Sequence, residues 1–281
     1  MKIIQSPRVF QQEMVRLRAR GKTLGFVPTL GALHEGHLSL VRRARKENQV
    51  VVVSIFVNPL QFSPQEDFRR YPRPLRRDRT MLSKEKIDYL FVPTVPSFYP
   101  RGSQTFVEVK ELSRGLCGRF RPGHFRGVAT VVTKLFNLVR PHRAYFGAKD
   151  YQQALVVKQL AQDLNFDLEV KVLPLVRDRD GLALSSRNTY LSRAERVRAQ
   201  SIPHALAWAK VELQGGNRDL SSIRWGILRR LKPGLNRIDY VEIIEPKTLQ
   251  PLKSIRGGLV IAVAGWVGKT RLIDNVIISP E

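Results

Sequence analysis

The chain has 281 residues, 43% of them hydrophobic, which suits one large domain or two modest ones around a substantial core. A single cysteine, Cys117, excludes an internal disulfide and a cysteine-based zinc site, and no apolar run approaches the ~20 residues of a membrane span. The balance of 48 lysines and arginines against 24 aspartates and glutamates gives a net charge of +24, and the N-terminal Met1-Lys2-Ile3-Ile4-Gln5 has no signal-peptide apolar core, so a cytoplasmic protein is expected, or an organellar one if a targeting segment was trimmed.

In chain order, positions 23–27 read as a strand, followed by a Gly-rich loop and a helix over 36–47. A strand over 50–56, a helix over 75–86 and a strand over 87–92 come next. Positions 125–139 have helical apolar spacing and lead to a short strand at 143–146, a helix over 149–164 and a strand over 168–173. Strands alternating with helices imply parallel βαβ units, hence an α/β sheet covered on both faces. The pattern then changes. Ser192 is a fitting N-cap for one long helix to about 213, the run Gly215-Gly216-Asn217 breaks it, and a second helix spans Leu220–Leu231. Strands follow at 238–244, 259–264 and 272–278, so a smaller α+β domain is expected, with domains at 1–175 and 176–281.

The basic surplus has two readings. It matches a nucleic acid, or it is a solvated surface around a site for a small anion. The arginines are spread along the chain, with Arg16, Arg18 and Arg20 in one stretch, Arg42, Arg43 and Arg45 in another and a third over 69–79. There is no basic tail, no aromatic ladder and no zinc finger, which favours the solvated surface over a nucleic-acid partner. Cys117 is expected to be an inert packing residue.

Four loops carry chemistry. The first is Pro28-Thr29-Leu30-Gly31-Ala32-Leu33-His34-Glu35-Gly36-His37, between a strand and a helix. That junction is where α/β folds bind nucleotides, glycines let backbone approach phosphate, and a helix N-terminus favours negative charge. His34 and His37 can share one face there and donate to phosphoryl oxygens under attack; a His-x-x-His metal pair is the alternative, with no further ligand nearby to complete it. The second is Asn58-Pro59-Leu60-Gln61, where neutral amides suit a ligand with hydroxyls and a carboxylate, or simply face solvent at a proline turn. The third is Gly147-Ala148-Lys149-Asp150, with Gln153 one turn on. Lys149 offers a point charge to phosphate, and Asp150 orients a ribose or Mg2+ or merely caps the helix. The fourth, Leu184-Ser185-Ser186-Arg187, reads as a mobile phosphate clamp or as a surface turn. Arg121 and His124 lie just before a helix, where His124 binds ligand or caps.

The first layout resembles that of nucleotidylyl-transferring enzymes. With the strings PTLGALHEGH, FVNPLQF, RPGHFRGVATVV, GAKDYQQ, DGLALSSRN and TRLIDN in order, the chain resembles the pantothenate synthetase (pantoate–β-alanine ligase) family over nearly its whole length. The resemblance implies a Rossmann-like domain with a smaller C-terminal lid, a homodimer, and ligation of pantoate to β-alanine through a pantoyl-adenylate, with ATP and Mg2+ and with release of AMP and pyrophosphate. It implies that Leu30, Gly31, Ala32, Leu33, His34, Glu35, Gly36 and His37 contact ATP, together with Gly147, Ala148, Lys149, Asp150, Val176, Leu184, Ser185, Ser186 and Arg187. His37, His34 and Lys149 would be catalytic. Gln61 and Gln153 would hold pantoate, Asn58, Arg121 and His124 would line the site, and Asp78 would lie near Mg2+. Two departures stand out: Leu30 replaces the family's usual methionine, a nearly volume-conserving change, and Arg77 and Arg79 flank Asp78. A related enzyme for a phosphate-bearing substrate is the rival reading, but such a substrate would call for arginine or lysine where Gln61 and Gln153 stand.

Overall fold

The run Val50-Val51-Val52-Val53 has no polar face, so its strand must be covered on both sides. The structure, a computed structural model, describes residues 1–279; positions 280 and 281, the end of the expected second domain, lie outside the described residues. The elements are β1 (Lys2–Ile4), α1 (Pro7–Ala19), β2 (Leu24–Thr29), α2 (Glu35–Glu47), β3 (Val50–Ile55), α3 (Leu75–Lys84), β4 (Tyr89–Phe91), the short α4 (Val95–Phe98) and α5 (Cys117–Phe120), α6 (His124–Val139), β5 (Arg143–Gly147), α7 (Tyr151–Asp163) and β6 (Glu169–Leu173). Then come α8 (Arg193–Ala199), α9 (Ser201–Gln214), α10 (Leu220–Leu231), β7 (Arg237–Ile244), β8 (Leu259–Val267) and β9 (Thr270–Ile278).

The chain forms two units. The first comprises Met1–Ser113, Arg121–Ala148 and Gln153–Pro174. Its sheet is parallel throughout, in the order β1-β4-β3-β2-β5-β6. The chain runs outward from β2 through β3 to β4, then crosses to β5 and β6 on the other side. Strand order therefore reverses between β2 and β5, the position at which open α/β sheets form a crevice beyond the strand ends. Alternate residues of one strand feed opposite cores. Val52 and Phe26 join Phe10, Phe91, Val132, Phe136 and Leu160 on one face. Val51, Val53 and Val27 join Val41, Leu82, Leu90 and Tyr145 on the other. Each such fully buried side chain contributes about 1.5–3 kcal/mol relative to an exposed one.

The second unit comprises Arg114–Phe120, Lys149–Gln152 and the chain from Leu175 on. Its sheet is antiparallel, β7-β8-β9. Ile202, Leu206, Ile223, Ile227, Val241, Ile261 and Val263 form its core. Two interior segments belong here because their hydrogen bonds do. Tyr151 Oη donates to the Pro246 carbonyl at 2.9 Å, and Gln152 Nε2 to that of Gly115 at 2.8 Å. The fold is thus α/β with a separate smaller α+β part.

The single helix expected from Ser192 to about 213 is two helices. Ser192 caps α8, accepting from Glu195 N, but the ladder breaks at Gln200. Pro203 explains the break: it has no N–H for the Ala199 carbonyl, and its ring is tolerated only in a helix's first turn. The sequence reading also omitted β1 and α1.

Candidate active site

The loop after β2 is pinned at both ends. Thr29 Oγ1 donates to the Ser54 carbonyl at 2.8 Å and accepts from Gly31 N at 3.1 Å. Gly31 has φ +83°, and a Cβ there would lie 2.9 Å from Ile55 Cγ2, so only glycine fits this turn. Ala32 is also left-handed, at φ 50°. What holds it there is Asp78 from α3, only 1% exposed. Its carboxylate accepts from Ala32 N at 2.8 Å and from Leu33 N at 2.9 Å. Burial raises the Asp78 pKa above the usual carboxylate value, and the two amide hydrogen bonds and nearby Arg77 oppose that shift. With those two N–H groups engaged, and the His37 amide donating to the His34 carbonyl at 2.8 Å, anion-facing donors fall to the Glu35 and Gly36 amides at the start of α2.

His34 is the N-cap of α2, in extended conformation. Its ring and that of His37 lie 4.0 Å apart between centroids, tilted by 36°. The His34 backbone N–H points to His37 Nδ1 at 3.4 Å. That contact assigns the His37 proton to Nε2, the tautomer that donates at that end. The Glu35 side chain is exposed and pairs with Arg42, which also binds Glu85 at 2.7 Å.

The second loop follows β3, the neighbour of β2, so both emerge at the same carboxyl edge of the sheet. Asn58 is fully buried and Gln61 nearly so, at 0% and 8% exposure. Asn58 Nδ2 donates to Gln61 Oε1 and to the Gly127 carbonyl, each at 3.0 Å. Its Oδ1 accepts from Leu60 N at 3.3 Å and from Tyr99 Oη at 3.0 Å. Arg121 makes a fork with Glu66, at 2.7 and 2.8 Å, and reaches His124 Nε2 at 3.0 Å. His124 Nδ1 in turn donates to the Gln61 carbonyl at 2.8 Å. Asn58, Arg121 and His124, expected to line the site, are each hydrogen-bonded to Gln61. Gly147 ends β5, on the other side of β2, and Gln153 is partly buried on α7.

In the second unit, the Lys149 ammonium lies 3.5 Å from Asp150 Oδ1, and the Lys149 carbonyl accepts from Asn275 Nδ2 at 2.9 Å. The Val176 carbonyl accepts from Leu184 N at 3.0 Å, next to an antiparallel bridge between Arg177 and Ala183. Ser185 caps the turn that follows, accepting from Arg187 N at 3.3 Å, and Ser186 is buried. Arg177 grips the buried Asp274 with two bonds of 2.7 and 3.0 Å. Burial pushes the Asp274 pKa up and Arg177 opposes it. Cys117 is buried against Tyr240 Oη, 3.2 Å from its sulfur.

Sequence reasoning gave no role to Glu66, Tyr99, Gly127, Asp274 or Asn275. Asp274 and Asn275 stand in a family-like string. Glu66 was findable as an acid just before an arginine-rich stretch, whereas nothing local marks Tyr99.

Comparison with known proteins agrees over the whole chain. The family model for pantoate-beta-alanine ligase matches residues 2–277. A pantothenate synthetase from Thermotoga petrophila is 53% identical over 280 residues, covering 99% of this chain and 100% of that protein. The crystal structure of a pantothenate synthetase from Thermus thermophilus superposes with a TM-score of 0.95 at 46% identity, covering 100% of both chains. A pantoate-beta-alanine ligase from Francisella tularensis, complexed with beta-gamma ATP and beta-alanine, superposes with a TM-score of 0.81 at 36% identity, covering 99% of this chain and 97% of that one.

Proposed function

This chain belongs to the pantoate–β-alanine ligase family and is an enzyme, a ligase; from that premise we propose that it joins pantoate to β-alanine by way of a pantoyl-adenylate, with ATP as the activating substrate. A pantoate carboxylate oxygen attacks the α-phosphorus of ATP. An O–P bond forms, the bond from that phosphorus to the bridging oxygen breaks, and pyrophosphate leaves. The β-alanine amine then attacks the activated acyl carbon. A C–N bond forms, the C–O bond to AMP breaks, and the amine loses a proton. Activation is needed because a carboxylate is a poor acyl donor and AMP a good leaving group.

The observation that carries this reading is the imidazole pair at the N-terminus of α2, with the His37 proton assigned to Nε2. Donors fixed in advance at a helix start stabilise charge as it develops on phosphoryl oxygens. His37 is the principal catalytic donor, with His34 beside it and Lys149 as a further phosphate charge. Leu30, Gly31, Ala32, Leu33, Glu35 and Gly36 shape the nucleotide loop. Gly147, Ala148, Asp150, Val176, Leu184, Ser185, Ser186 and Arg187 complete the ATP set. Gln61 and Gln153 hold pantoate. Among the described residues no three His, Cys, Asp or Glu side chains group as a metal site. Mg2+ would enter with the substrate's phosphates, and Asp78, the carboxylate expected near it, has both oxygens on the Ala32 and Leu33 amides. When bound, Mg2+ offsets charge on the departing pyrophosphate. The same reading makes the enzyme a cytoplasmic homodimer, the assembly being open to sedimentation.

The test is AMP release by the purified protein with ATP, Mg2+ and pantoate, with and without β-alanine. AMP that needs both organic substrates is the expected result. ATP binding with no AMP under any combination would leave the nucleotide site and remove the ligation.

A further inference from the structure

We propose that Tyr99 and Asn58 are positioning residues that lock the Gln61 side chain as a hydrogen-bond donor, so that the place beside it accepts an oxygen of the acid substrate and rejects a donor group. Two backbone groups with no choice of role fix the network. The Leu60 N–H can only donate, and it meets Asn58 Oδ1 at 3.3 Å. The Gly127 carbonyl can only accept, and it meets Asn58 Nδ2 at 3.0 Å. Together they settle which way the Asn58 carboxamide points. Its second Nδ2 proton then goes to Gln61, 3.0 Å away, which must offer Oε1. A flipped Gln61 would set two amide NH2 groups face to face at a residue that is fully buried. Gln61 Nε2 therefore faces away from Asn58. It has no hydrogen-bond partner among the described residues, and it is not among the buried polar atoms left unsatisfied.

Tyr99 closes the chain of bonds. Its hydroxyl, 3.0 Å from Asn58 Oδ1, has to donate, because that oxygen only accepts. Burial holds the phenol far above its ordinary pKa, so it stays protonated at any working pH. The turn is also held through its backbone. His124 and Arg121 both donate to the Gln61 carbonyl, at 2.8 and 3.3 Å. Gly127 lets α6 come so close that a Cβ there would lie 2.1 Å from the Leu60 carbonyl oxygen. Both polar atoms of the Asn58 side chain are thus used inside the protein, and its effect on a ligand passes through Gln61. The ligand class that fits a donor-only amide is a hydroxy acid presenting carboxylate or hydroxyl oxygens.

This inference rests on Gln61 holding pantoate. The experiment compares wild type, Tyr99→Phe and Gln61→Glu by steady-state kinetics, varying pantoate and ATP separately, with thermal unfolding of each. Tyr99→Phe is expected to raise the pantoate KM about 2- to 10-fold, the worth of one neutral hydrogen bond, with the ATP KM unchanged. Gln61→Glu keeps the shape but replaces the donor with an anion, and should lower kcat/KM for pantoate by about 100-fold or more. An unchanged pantoate KM in Tyr99→Phe, or an equal rise in both KM values, overturns the lock. So does a folded Gln61→Glu that keeps its pantoate kcat/KM. If wild type shows no turnover dependent on pantoate, the functional reading falls and the lock with it; normal wild-type turnover with unresponsive variants removes the lock alone.

Discussion

The Asp78 carboxylate accepts the Leu33 amide at 2.9 Å across 45 residues of sequence, and with it the neighbouring Ala32 amide at 2.8 Å. One buried side chain thereby sets the left-handed turn that delivers His34 and His37 to the start of α2. Asp78→Ala should strand two donors, at about 1–3 kcal/mol for each that stays dry. Asp78→Asn keeps one acceptor and sets an NH2 against the other amide. We expect both to lose stability in urea titrations and most of the turnover, with the Mg2+ dependence of the residual activity unchanged. A variant of normal stability whose Mg2+ requirement rises instead would make Asp78 a metal contact and remove its role in shaping the loop.

His37→Ala removes a donor aimed at charge that exists only in the transition state. Loss of one such donor lowers kcat by about 100- to 1000-fold. Pyrophosphate release in the first turnover is the measurement, with circular dichroism to check that the fold persists. Near-normal release would put the catalytic donor elsewhere.

The β2 loop was legible because its signals are local: a strand, glycines, two histidines three apart and a helix. The strands of the second part were legible from their apolar runs, though not their antiparallel pairing. Partnerships that span the chain were not. Asp78 sits in a basic, helical stretch, and nothing near it announces a carboxylate turned inward to amides 45 positions earlier. Asn58 looks in sequence like any ligand-facing amide, and its internal role depends on Tyr99 and Gly127, 41 and 69 residues away. Helix α1 was missed because only Phe10 and Met14 of its 13 residues are buried, too thin an apolar stripe to stand out. The break at Gln200 was missed because apolar spacing runs on through it, and Pro203 had to be weighed against that rhythm.

Gln153→Ala tests where the acid sits. Loss of a polar group specific to pantoate should raise its KM well beyond any change in the ATP KM. Steady-state kinetics with each substrate varied in turn would decide it. A parallel rise in both values would move pantoate away from α7.

Gly226 on α10 faces the Trp208 indole, and a Cβ there would lie 2.0 Å from its Cη2. Arg230 covers that ring at 3.8 Å from its centroid, limiting its retreat. Gly226→Ala gains about 1 kcal/mol of helix propensity. The overpacking costs about 1–3 kcal/mol, so the net effect should be destabilising. A lower urea midpoint is expected, and a raised one would show that the indole moves aside at no cost.

Tyr89 carries a separate prediction at high pH. Its hydroxyl donates to Glu13 at 2.9 Å, and burial first, then that bond, pushes its pKa up to about 12 from 10.0. Below 10.0 the phenol is neutral in folded and unfolded chains, and its contribution is fully present. Between 10.0 and about 12 the unfolded chain releases the proton and the folded one retains it, so stability falls as pH rises. One such proton steepens the fall by about 1.4 kcal/mol per pH unit. Tyr99, Tyr145 and Tyr240 are shifted the same way, so Tyr89→Phe should make the curve shallower rather than flat. Urea unfolding of wild type and variant at several pH values across this window would show the difference. Parallel curves would mean that Tyr89 ionises no later in the folded chain than in the unfolded one, and that its bond to Glu13 does not stabilise the fold.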